Sequence, residues 1–178
     1  AAAGDNFGCA VSSAGDVNGD GFVDVIVGAR NNSSGASFGG RAYIYIGGPA
    51  MDITADVIFT GGSVFGYLGI GVASAGDVNG DGYSDVIVAA SNDNAGGTNA
   101  GRAYIYFGSA AMDNTADVIL TGLAGEHLGN SLSSAGDMNG DGLSDVIAGA
   151  AWNSELGVDV GRVYLYLSSS PPIVPRIA

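Results

Sequence analysis

Three stretches of this 178-residue chain carry oxygen-bearing side chains at matching intervals: DVNGDGFVD from Asp16, DVNGDGYSD from Asp77 and DMNGDGLSD from Asp137. In the first, Asp16, Asn18, Asp20 and Asp24 hold positions 1, 3, 5 and 9, and the main-chain carbonyl of Phe22 stands at position 7. The counterparts are Asp77, Asn79, Asp81, Tyr83 and Asp85, then Asp137, Asn139, Asp141, Leu143 and Asp145. Glycines at positions 4 and 6 let the main chain curl around an ion without Cβ clashes. Hard cations select such all-oxygen sets. Ca2+ suits the flexible, nearly complete cage, whereas Mg2+ demands a tight octahedron and keeps several waters. One Ca2+ per loop, three in all, is the expectation. An EF-hand loop needs a bidentate acid at position 12, where Val27, Val88 and Ala148 stand, so that loop class is excluded.

Three aspartates in one small loop repel one another, and a divalent ion lowers their local charge from about −3 to about −1. Nine of the chain's 18 acidic residues lie in these loops, so most of the formal charge of −13 has a local explanation. That charge opposes binding to nucleic-acid phosphates or an anionic membrane, which carry the same sign. A lone cysteine, Cys9, permits neither an intrachain disulfide nor a Cys-based zinc site. No apolar run approaches the roughly 18 residues of a membrane span, and the opening AAAGDNFG has no leader pattern.

The elements that must position these loops repeat with them. Asp16, Asp77 and Asp137 are 61 and then 60 residues apart, and Arg41, Arg102 and Arg162 keep the same two spacings. Each unit supplies a strand before the loop and a β-branched strand after it (Val25, Ile26 and Val27 in the first). A third strand, Arg41 to Ile46, alternates tyrosines with small and aliphatic residues, and a fourth runs from Asp56 to Thr60. No window shows helical periodicity. Four short strands per sixty-residue unit predict an all-β chain of radial four-stranded antiparallel blades, a β-propeller architecture, with a stacked β-solenoid as the rival. The blades are expected at about 7–60, 68–121 and 128–167. In the last, Pro171, Pro172 and Pro175 should interrupt the fourth strand, leaving 168–178 as a linker or a strand exchanged between copies through Ile173, Val174 and Ile177.

These residues resemble the FG-GAP repeats of integrin α-subunit propellers. Phe7-Gly8 and Gly28-Ala29 are the two name-giving landmarks around the DxNxDGxxD loop. Later copies soften to Leu68-Gly69 with Ala89-Ala90 and Leu128-Gly129 with Gly149-Ala150, and no copy has the final proline. The resemblance implies calcium loops on a lower face and partner binding on the opposite one. The upper surface would then be built by Asn31 to Gly40, Ser91 to Gly101 and Trp152 to Gly161, with the turns near Gly62 and Ala124. Three blades do not close a ring, so further blades of a longer chain or a homo-oligomer are expected to complete it.

Among single residues, Trp152 with Asn153 and Glu155 could stack a sugar ring and bond its hydroxyls, against the plainer reading of a ring covering a blade edge. His127 follows Glu126, but with no nearby Ser, Cys or second His it makes neither a nucleophilic triad nor a zinc site. Arg41, Arg102 and Arg162 are expected to bridge blades by pairing with acids such as Asp56 or Asp117. Asn31 and Asn32 open overlapping glycosylation sequons. The functional expectation is a non-catalytic, extracellular or cell-surface calcium-binding module for adhesion, ligand recognition or assembly, with a protein or glycan partner. The alternatives are a self-assembling structural protein, a glycan-binding lectin and, least, a hydrolase-associated domain.

Overall fold

In the computed structural model, residues 1–155 and 158–169 are described together with the backbone of 174–177. The first blade is β1 (Phe7–Gly15), β2 (Asp24–Ala29), β3 (Arg41–Tyr45) and β4 (Val57–Thr60). The second is β5 (Gly71–Gly76), β6 (Asp85–Ala90), β7 (Arg102–Tyr106) and β8 (Val118–Thr121). The third is β9 (Ser131–Gly136), β10 (Asp145–Ala150), β11 (Arg162–Leu167) and β12 (Val174–Ile177). Every sheet is an antiparallel meander in chain order, and no helix occurs among the described residues. The blades are therefore those of a partial β-propeller, with inner strands β1, β5 and β9 side by side.

Apolar residues lie between sheets. Ala14, Ile26, Ala42, Ile44 and Phe59 of the first blade meet Val72, Val86, Val88 and Tyr106 of the second. Phe59 stacks on Tyr106 with ring centroids 3.8 Å apart. Ala75, Ile87, Ala103, Ile105 and Leu120 then repeat that face toward Val146, Ala148, Tyr164 and Tyr166 of the third blade. The second blade packs on both faces, which is why β6 is buried at all six positions and reads as an uninterrupted apolar run after its aspartate. Glycine permits the closest approach: a Cβ on Gly15 would lie 2.3 Å from Ser84 Oγ, and one on Gly76 2.3 Å from Ser144 Oγ.

The fourth strand of the last blade corrects the expectation from the prolines. β12 pairs with β11 of its own sheet, with Pro175 opposite Tyr166. It is the outermost strand, where a missing N–H facing outward breaks no ladder bond. The tail thus completes its own blade. Ile173 lies outside the described residues.

Candidate functional site

A meander puts alternate connections at opposite ends of a sheet. The β1–β2, β5–β6 and β9–β10 loops therefore share the lower end with the β3–β4 type of connection, while the β2–β3 loops and the inter-blade turns share the upper end.

At the lower end the three acidic loops are wound alike. The carboxylate of Asp16 accepts the amides of Gly19, Asp20 and Gly21 at 2.7, 3.1 and 2.9 Å. Asp77 and Asp137 accept the matching three amides in their loops. At Asp137 these bonds, led by that from Gly142, hold the carboxyl below its ordinary range. Asp20 Oδ1 accepts the Phe22 amide, and Asn18 Nδ2 donates to Asp20 Oδ2. Gly19 and Gly21 have φ of 75° and 87°, the left-handed values that such a curl requires.

The ninth residue is different: Asp24, Asp85 and Asp145 are wholly buried at the head of the second strand. Asp24 accepts the Val17 amide at 2.7 Å and the Gly47 amide at 2.7 Å, which ties the loop to the end of β3. Asp85 and Asp145 are held the same way by Val78 with Gly108 and by Met138 with Ser168. Burial pushes the Asp85 carboxyl up to about 7 against those two bonds, with Asp81 and Asp77 adding to the rise. Asp24 shifts the same way for the same leading reason.

None of the described ion pairs involves a loop carboxylate. Nine acids thus stand in three preorganised loops without a cation partner among the described residues, one in each loop completely shielded from water. This donor set fits a hard divalent ion: Oδ2 of Asp16, Asp77 and Asp137 and both oxygens of Asp24, Asp85 and Asp145 each accept a single amide and keep a second lone pair, whereas Oδ1 of the first aspartate in each loop already accepts two. Among the described residues no three His, Cys, Asp or Glu side chains close into one cluster, so the ligand set would also need the Asn amide and main-chain oxygens.

The upper end holds a feature absent from the expectations. Asp5, Asp93 and Glu126 are buried there, each beside the arginine that opens a third strand. Asp5 accepts the Asn32 side-chain amide and the Ala2 main-chain amide; these bonds, with Arg41 nearby, hold its carboxyl below the ordinary value. Asp93 accepts Ser63 Oγ and Tyr104 Oη, with Arg102 Nε 3.6 Å away. Glu126 accepts Tyr164 Oη, the Leu123 amide and the Asn153 side chain, with Arg162 3.9 Å away. Arg102 and Arg162 therefore pair with these acids and Arg41, near Asp5, donates to Thr60 Oγ1, whereas the Asp56 and Asp117 carboxylates accept the Ile46 and Phe107 amides. The signal was in the aligned repeats: Asn32, Asp93 and Asn153 are equivalent, as are Asp5, Gly66 and Glu126, so each unit keeps one acid and moves it between two loops.

The suggested sugar-contact residues do not share one open site. Trp152 is exposed and meets the edge of His127, Asn153 is buried on Glu126, and Glu155 pairs with Arg162. His127 bonds Asn92 Oδ1 at 3.0 Å, and burial lowers its pKa. Of the two sequon asparagines, Asn32 is buried with its amide donated to Asp5.

Lower-face oxygen loops on four-stranded radial sheets define a repeat-built β-propeller. The FG-GAP repeat model matches residues 7–45, 69–106 and 128–166, and the chain belongs to that family. Integrin alpha-5 of Xenopus laevis is 31% identical over 96% of this chain, and integrin alpha-IIb of Mus musculus 34% over 80%. Integrin alpha-6 of Gallus gallus is 35% identical over 90%. The chain spans only 15–17% of the length of these three relatives.

Proposed function

We propose that the chain is a non-catalytic recognition module of an adhesion-type propeller, working outside the cell, in which Ca2+ stiffens the lower loops and the upper loops meet a protein ligand. The carrying observation is the set of nine loop carboxylates with no cation partner among the described residues, three of them buried. Asp16, Asn18, Asp20 and Asp24, the carbonyl of Phe22, and their counterparts would hold the ions. Extracellular calcium modules bind at about 0.1–1 mM, which matches a millimolar medium and not resting cytosol. The relatedness to integrin α subunits supports the adhesion setting. Calorimetric titration of the metal-free chain should give three Ca2+ per chain in that range, with Mg2+ far weaker; no calcium heat up to about 5 mM would end the proposal.

Further FG-GAP blades are the fitting partners for the two end faces. Val11 is 66% exposed where its equivalent Val72 is 8%, and Val163 is 54% exposed where Ala42 and Ala103 are 0%. Gly136 has open space where Gly15 and Gly76 each receive a serine. Light scattering at increasing concentration separates the sources: a mass of two chains means a second copy, and a constant single-chain mass means further blades of one longer chain.

A further inference from the structure

We infer that the cleft between the first and second blades at the upper end is a seat for an acidic side chain of a protein ligand, gripped by Arg30 beside an aromatic shelf. This rests on the recognition reading above and names the chemistry of its ligand. Arg30, Asn31, Tyr67, Ile70 and Asn92 line a cavity of about 280 Å³. Of the described arginines, Arg41 donates to Thr60 Oγ1, Arg102 pairs with Asp93, and Arg162 with Glu126 and Glu155. Arg30 is exposed and, among the described residues, its side chain has no hydrogen-bond or ion-pair partner, in a chain with 18 acids. Both buried acids of the adjoining loops are already taken, Asp5 by Ala2 and Asn32, Asp93 by Ser63, Tyr104 and Arg102.

Comparison with the next junction shows what is special here. The same five places between the second and third blades are Ser91, Asn92, His127, Asn130 and Trp152. That seat is filled from within: His127 bonds Asn92 and its ring stands 4.6 Å from that of Trp152. It also lacks a cation. At the first junction the Asn31 side chain and the Tyr67 hydroxyl have no partner among the described residues, and Asn92, whose Oδ1 meets Ser91 Oγ and His127 Nδ1, has none there for its Nδ2. A free guanidinium among open amides and a phenol matches a carboxylate with main-chain groups on either side.

The backbone supplies an independent observation. Phe38, Phe65 and Tyr67 have φ of 50°, 56° and 58°, a left-handed conformation that is strained for bulky aromatic residues. Elsewhere in the repeats the equivalent positions are Asn99 and Asp159, Gly4 and Gly125, and Asn6 and His127, most of them types that tolerate those angles. The three rings nonetheless cluster, Phe38 stacked on Phe65 at 5.5 Å and Tyr67 within 6.5 Å of both, with Phe38 and Phe65 exposed. An exposed aromatic shelf flanking an unpaired arginine is the composition of a protein-binding hot spot. The ligand is therefore a segment in which an acidic residue follows or precedes an apolar one.

The test uses the calcium-equilibrated chain and the capped peptide Gly-Leu-Glu-Leu-Gly, its Glu→Gln form, and glucuronic acid, read by amide chemical shifts and titration. The expected result is saturable binding of the Glu peptide with shifts at Arg30, Tyr67 and Asn92, weakened about tenfold or more by Arg30→Gln and partly restored by Arg30→Lys. Phe38→Asn should weaken the peptide while raising the melting temperature, an opposed pair of changes that a misfolded variant would not give. Equal binding of the Gln peptide, indifference to Arg30→Gln, saturable binding of glucuronic acid alone, or no binding would each overturn the inference. None of those results would disturb calcium-dependent melting, so failure here is separate from failure of the calcium proposal.

Discussion

The burden on each loop aspartate follows from its partners. Asp16 organises three amides at the rim, so Asp16→Ala should both unwind that loop and remove one ion, reducing the calorimetric stoichiometry from about three to about two. Asp24, Asp85 and Asp145 instead carry buried charge. In calcium-free solution the folded Asp85 holds its proton up to about 7, whereas in the unfolded chain it releases it near the ordinary 3.8. A raised folded value contributes stability that is complete below the unfolded value and lost as pH rises through the folded one. Denaturant melts in chelator should therefore lose stability between about pH 4 and pH 7, a trend that Asp85→Asn should flatten. Saturating Ca2+ favours the ionised form, so its stabilising effect should grow across the same interval.

At the scale of elements, the lower loops and the blade contacts are one structure. The Ser84 amide donates to the Asp16 carbonyl and the Ser109 amide to the Val17 carbonyl, so the first loop is clamped by the second blade; the Ser144 amide and the Asp77 carbonyl repeat the first bond at the next junction. Gly76→Ala should drive a methyl into Ser144 and cost about 1–3 kcal/mol, measured by denaturant titration. At the other end, Glu126 fastens the inter-blade turn to β11 through Tyr164 and to the β10–β11 loop through Asn153. Glu126→Ala leaves those groups and the Leu123 amide without their acceptor, an expected loss of about 3 kcal/mol, with Glu126→Gln milder.

Across the whole molecule, legibility in the sequence tracked local repetition. The loop register, the four strands of the first two blades and the family were readable because the loop and the first three strands are encoded three times, and the fourth strand twice, within a contiguous unit. The upper-end locks were not, because the acid moves between two loops some thirty residues apart, and a search for fixed positions does not see a conserved charge that changes place. Proline weighed too heavily at β12, since its cost depends on whether the N–H faces a neighbour, and an edge strand has a free side. The one-sided exposure of Val11 and Val163 likewise arises only when blades are stacked. In the proposed function divalent ions neutralise the three acidic loops and so hold adjacent blades together. A thermal melt of the intact chain at neutral pH, with about 2 mM Ca2+ and then with excess chelator, tests it most directly. The midpoint should stand several degrees higher with calcium and fall back on chelation; superimposable melts would rule out ion-held loops.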